Sequence, residues 1–190
     1  TKTSQTVWVL GFSTSGTANG SETITVAPAS STSIYDAAAN AAATSQSNNT
    51  ASFNDASAPT IASTSINTAN TELTVTFSES VYDTTGGTGD LEVADFALSI
   101  AGGVATLGSA TPTSITKTSQ TVWVLGFSTS GTANGSETIT VAPASSTSIY
   151  DAAANAAATS QSNNTVTLGE RVAPTVTLTG PSGVVTAAFT

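Results

Sequence analysis

The sequence predicts an all-β fold of tandem antiparallel β-sandwich modules, each with about seven short strands. Three observations lead there. Residues Thr1–Thr50 recur unchanged as Thr116–Thr165, so position n reappears at n + 115. An unaltered repeat of that length marks a tandem array whose unit is the size of one small domain. Apolar residues alternate with Ser and Thr at period two along much of the chain, while helical periodicity is nearly absent. Glycine-rich turn signals then separate these runs.

The module boundary is marked by Ala58-Pro59-Thr60, which aligns with Ala173-Pro174-Thr175 at the same offset. It divides the chain into the C-terminal part of a preceding module (1–58), one complete module (59–173) and the first strands of a following module (174–190). In the complete module, Ile61 to Ile66 reads as the opening strand. Leu73, Val75 and Phe77 then alternate with Thr74 and Thr76. After the Thr85-Gly86-Gly87 turn, Phe96, Leu98 and Ile100 alternate with Ala97 and Ser99. The Ala101-Gly102-Gly103 turn leads into Val104 to Leu107. The polar stretch Thr116 to Gln120 reads as a solvated turn carrying Lys117. Next, Val122, Val124 and Gly126 face one way and Trp123, Leu125 and Phe127 the other. Past the Ala133-Asn134-Gly135 turn, Ile139 and Val141 alternate with Thr138 and Thr140. The alanine-rich Tyr150 to Ala158 breaks the pattern, because alanine favours helices over strands. It predicts a short helical turn or compact loop with Asp151 as N-cap. Val166 and Leu168 close the module before Gly169-Glu170-Arg171. Seven short strands in one such module are the pattern of an Ig-like sandwich.

Composition excludes several function classes. Charged residues make up 8%, against about 25% in ordinary soluble domains. Ser and Thr supply about a third of the chain, so its surface is wetted by hydroxyls. The formal net charge is −9, with Lys2, Lys117 and Arg171 the three basic residues. Nucleic-acid binding needs clustered Lys and Arg and is not expected. Anionic membrane surfaces are disfavoured for the same reason, and no apolar run is long enough to insert. There is no His for general-base work and no Cys nucleophile, so an enzyme is not expected. Lys117 beside Ser119 is the nearest approach to a catalytic pair, and its polar flanks assign it to solvent. A Lys–Asn isopeptide staple would need Lys117 buried, which the same flanks oppose.

Three features of the central module resemble bacterial Ig-like repeats of large cell-surface adhesins and filament proteins. Thr74-Val75-Thr76-Phe77-Ser78-Glu79 resembles the family's early strand. Asn134-Gly135-Ser136-Glu137 before Ile139-Thr140-Val141 resembles a late hairpin. Asp151 to Asn155 resembles an Asp-x-Ala-Gly-Asn loop, with Ala154 where the family usually has Gly. The tail from Pro174 resembles the opening of a related Ig-like class, which implies a mixed array. The resemblance implies an extracellular or cell-surface location. It also implies a role as structural spacer, with neighbouring modules of the chain, and other copies in a fibre, as partners.

Ligand chemistry centres on calcium, which takes six to eight oxygen ligands. Asp83, Asp90 and Asp95 are the candidate ligands, within an acidic cluster that includes Glu79 and Glu92. The Asp83-to-Asp90 loop has glycines that let it fold back and bring its two end carboxylates together. A second candidate lies at the joints, where Asp55 and Glu170 are equivalent and a cation would stiffen the hinge. The plain alternative at both places is a solvated acidic segment that keeps the array soluble. Asp151 and Asn155 read first as a local cap and turn, and second as ligands. Trp8 and Trp123 are equivalent and lie in near-continuous apolar strands, which favours core over sugar stacking. Asn19, Asn48, Asn134 and Asn163 fit the N-glycosylation pattern, common by chance in so Ser/Thr-rich a chain. The alternative function is a carbohydrate- or ice-binding adhesive module using the outward rows Thr74/Thr76, Thr138/Thr140 and Thr175/Thr177/Thr179.

Overall fold

The computed structural model describes residues 1–177. Thr179 and most of the segment 174–190 lie outside them, and 174–177 carry no strand. The described chain is all-β with several antiparallel sheets. Its strands are β1 (Thr23–Thr25), β2 (Thr50–Ser52), β3 (Ile61–Ile66), β4 (Glu72–Phe77), β5 (Phe96–Ala101), β6 (Thr106–Leu107), β7 (Ser114–Lys117), β8 (Val122–Gly126), β9 (Thr129–Ser130), β10 (Thr138–Pro143) and β11 (Thr165–Thr167). A single 3-10 turn, Val93–Asp95, precedes β5.

Two sheets enclose the core of the central region. One has the order β3-β4-β8-β7 and the other β11-β10-β5, with β6 and β9 paired at the side. Alternation decides which residues meet between them. In β4 and β8 every second residue is buried: Leu73, Val75, Phe77, Trp123 and Leu125 are 0–3% exposed. Phe96, Leu98, Ile139 and Val141 supply the opposing face, each 0–3% exposed. At about 25 cal/mol per Å² of apolar surface removed from water, such a cluster is the main stabilising term. The sheets also touch at one edge, where Thr64 Oγ1 donates to the Thr165 carbonyl at 3.0 Å and Ile61 N–H donates to Gln161 Oε1 at 2.8 Å.

One expectation needs correction and another is narrowed. The solvated turn at Thr116 to Gln120 is half strand: β7 pairs with β8 through Lys117↔Trp123. Ile115 packs against the core from this strand, whose other residues are exposed. An edge strand buries so few side chains that its alternation is weak. Of the two forms expected for the alanine run, the structure has the compact loop and not the helical turn; it is closed by the Tyr150↔Ala156 bridge. Asn155 N–H and Nδ2 both donate to the Asp151 carboxylate at 2.7 Å, so the aspartate closes a turn instead of capping a helix. Ala154 takes a left-handed conformation at φ 71°, which forbids helical continuation there.

Residues 1–50 have the sequence but not the burial of their second copy, Thr116–Thr165. β1 and β2 pair in the register of β10 and β11, Thr23↔Ser52 against Thr138↔Thr167. Yet Trp8 is 59% exposed and Trp123 is 1% exposed. The difference lies in what packs on them, since the local sequence is the same.

Candidate cation site at the joint

The chain leaves each copy of the repeat in the same way. Ala56 N–H donates to the Ala18 carbonyl at 2.9 Å, and Arg171 N–H to the Ala133 carbonyl at 2.8 Å. The glycine of each Asn-Gly turn lies against the acidic linker residue: a Cβ on Gly20 or on Gly135 would meet the Cβ of Asp55 or of Glu170 at 3.4 Å. The segment after each copy is thereby held to the Asn-Gly turn of that copy, with its acidic residue beside the turn glycine.

At the first exit this carboxylate meets two others. One oxygen each from Asp55, Glu79 and Asp151 lies within 4.8 Å of the other two. Three different parts of the chain deliver them: the linker, the segment after β4 and the alanine loop. Asp151 is 1% exposed and held by Asn155. Asn155 Nδ2 also lies 3.3 Å from the Asp55 carbonyl, joining the linker to the loop. Ser57 N–H donates to Asp55 Oδ1 at 2.8 Å. Burial, and then the charges of Asp151 and Asp55, push the Glu79 carboxyl above its usual range. Among the described residues this is the one set of three carboxylates close enough to share an ion. Hard oxygen donors of this kind suit calcium or magnesium.

The three residues singled out in the acidic cluster go to separate tasks. The Asp83-to-Asp90 loop does fold back, through the Thr84↔Thr88 bridge and a Thr84 Oγ1 bond to the Thr88 carbonyl at 2.8 Å. Asp90, however, pairs with the Lys117 ammonium, which also lies 5.6 Å from the Trp123 ring centroid. Asp95, the last residue of the 3-10 turn, is buried and accepts from Glu92 N–H at 2.7 Å. Burial raises its pKa, with the Glu92 bond opposing and Asp83 adding repulsion. Asp83, Asp90 and Asp95 do not converge as a set of three. Sequence reasoning named Asp55, Glu79 and Asp151 for three unrelated reasons; only the topology joins them.

A further buried carboxylate was missed. Glu137 is 0% exposed and has no basic partner; it accepts from Val104, Ala105 and Asn134 N–H at 2.8, 3.0 and 3.0 Å. The Ala105 bond, outweighing desolvation and joined by the Val104 bond, lowers its pKa to about 2. Gly102 and Gly103 make room for it, since a Cβ on Gly103 would collide with the Glu137 carboxyl, a juxtaposition that the sequence does not announce. No protein-family model matches the chain, and comparison with curated proteins and with solved structures finds no match.

Proposed function

We propose that the chain is a stretch of structural spacer: tandem Ig-like sandwich modules in a long extracellular adhesin, fibre or surface filament. The observation that carries this reading is the repeated exit geometry. The linker backbone is tied to the residue before the Asn-Gly turn, at 2.9 Å after the first copy and 2.8 Å after the second. Each linker is tied to the module it leaves, and the first is also joined to the next region through Asn155 Nδ2 and the Asp55 carbonyl at 3.3 Å. A linker held on both sides gives successive modules one relative direction, as a spacer needs and a flexible tether does not. Calcium at Asp55, Glu79 and Asp151 belongs to this reading as the ligand that would lock the joint.

Small-angle scattering tests it on chains of two, four and eight copies of residues 59–173. A spacer grows in maximum dimension in proportion to module number. Growth as the square root of module number, the signature of freely jointed beads, sinks the reading.

A second reading has one observation of its own. The registers align Ser99, Thr140 and Thr165 across β5, β10 and β11, with Thr138 beside Thr167 in the next row. This hydroxyl grid is a surface for carbohydrate or ice. Glycan-array binding or thermal hysteresis that disappears on Thr140→Val with Thr165→Val favours it over a pure spacer.

A further inference from the structure

We propose that the apolar face of residues 1–58 is an interaction surface whose occupant is a β-rich polypeptide segment with the sequence of residues 59–115. The inference rests on the tandem-module reading and adds to it a partner and a mode of recognition.

The occupant is read from the second copy of the same fifty residues. Trp8, Leu10, Phe12 and Ile34 are 55–61% exposed, an unusual concentration of large apolar groups in one short segment. Their equivalents Trp123, Leu125, Phe127 and Ile149 are 0–4% exposed. They share one core with Leu73, Val75, Phe77, Phe96 and Leu98, all of which lie within 59–115. One face of identical sequence is therefore seen once with its partner and once without.

The uncovered copy keeps some of the covered copy's local contacts, although Val7 to Gly11 carries no strand where its copy forms β8. Asn49 Nδ2 donates to the Val26 carbonyl at 2.7 Å, as Asn164 Nδ2 does to the Val141 carbonyl at 2.7 Å. Lys2 lies 5.6 Å from the Trp8 ring centroid, as Lys117 lies 5.6 Å from that of Trp123. The contacts kept in advance lower the entropy lost on binding, and the Trp8 segment orders into its strand when the partner arrives.

Recognition has a polar anchor as well as an apolar one. Glu137 takes two of its N–H donors, from Val104 and Ala105, out of the partner segment. Glu22, its equivalent, keeps only the Asn19 N–H, at 3.1 Å. A segment carrying the Gly-Gly-Val-Ala turn supplies the missing two donors and pays the desolvation of the carboxylate with charge-assisted bonds. An apolar segment lacking that turn would bury Glu22 without them.

The test compares the 190-residue chain with the same chain extended by a copy of residues 59–115 placed directly before Thr1. Trp8→Phe versions of both isolate the Trp8 signal by difference. In the extended chain Trp8 should become as inaccessible to acrylamide as Trp123, and the calorimetric unfolding enthalpy should about double, since it scales with ordered residues. Glu22→Gln should lower the added transition in the extended chain and leave the unextended chain unchanged. Trp8 still open to quencher, with no added enthalpy, overturns the proposal. So does Trp8 already shielded in the unextended chain. Sedimentation then assigns that shielding to a second copy, if the chain dimerises, or to the chain's own residues 59–115. If the scattering series grows linearly while Trp8 stays open, this inference alone fails; if Trp8 is covered and the series does not grow linearly, the spacer reading alone fails.

Discussion

Ala154 and Trp123 show how differently two residues can depend on their surroundings. Ala154 sits at φ 71°, and its copy Ala39 sits at φ 63° although its segment lacks the partner sheet. The turn is thus set locally, by the aspartate that closes it: Asp36 receives Asn40 N–H at 2.8 Å and Nδ2 at 2.8 Å, much as Asp151 receives Asn155. An L-residue in this region costs about 1–2 kcal/mol, and glycine returns about 0.5–1 kcal/mol of that in chain entropy. Ala154→Gly should therefore stabilise the central region by about 0.5–1 kcal/mol, seen as a melting temperature a few degrees higher. A lower melting temperature would show that the alanine methyl has a packing role. Trp123 is the opposite case, because its burial comes wholly from distant strands. Trp123→Ala should cost about 3–5 kcal/mol in chemical denaturation, as deletion of a large buried aromatic does. Trp8→Ala, in the same local sequence, should stay within about 0.5 kcal/mol. Equal costs at the two positions would contradict the burial difference.

Among elements, the β5–β6 turn and β10 depend on one another through Glu137. Gly102 and Gly103 are at φ 76° and 57°, and a Cβ on Gly102 would lie 2.4 Å from the Ser136 carbonyl oxygen. The glycines let the turn come close enough for its N–H groups to reach the carboxylate. Because the pKa of Glu137 falls from its ordinary value of 4.5 to about 2 on folding, the ionised form favours the folded state. That contribution is complete above pH 4.5 and is lost as pH drops toward 2. Glu137→Gln should lower stability at neutral pH and flatten the acid limb between those values. Parallel limbs in mutant and parent would place the acid sensitivity elsewhere. This carboxylate was illegible in sequence, since a Glu after Asn-Gly-Ser reads as turn polarity and its donors lie about thirty residues away. The strands fared better. Leu73-Val75-Phe77 and Trp123-Leu125 announced their inward faces, because both strands are central and each buries a full row. β7 was hidden because an edge strand with only Ile115 against the core looks polar. The alanine run left helical turn and compact loop both open, because propensity favours helix while the Asp151–Asn155 bonds and the two bridges at Tyr150 hold a loop.

For the whole molecule, the question is whether the joint between 1–58 and the central region is held by more than its backbone bonds. Three carboxylates within 4.8 Å repel one another, and this repulsion, after burial, keeps the Glu79 carboxyl above its usual range. The sign follows from proton count: a folded-state pKa above 4.5 means that the folded chain binds more protons just above that value. Stability should therefore fall as pH rises from 4.5 through the raised pKa of Glu79, and Glu79→Gln should remove that fall. A bound divalent cation would reverse the penalty at neutral pH. Binding to the native state alone adds about 2.7 kcal/mol at a hundredfold excess over the Kd. With calcium at the joint, the melting temperature should rise on calcium addition and return on chelation. Asp55→Asn and Glu79→Gln should each abolish the shift, and Asp83→Asn with Asp90→Asn should leave it. A shift lost only in the Asp83/Asp90 pair would move the site to the acidic loop. Identical melting with calcium and with chelator would leave all of these carboxylates as solubilising charge, and the joint would then owe its direction to the linker bonds and the Asn155–Asp55 contact alone.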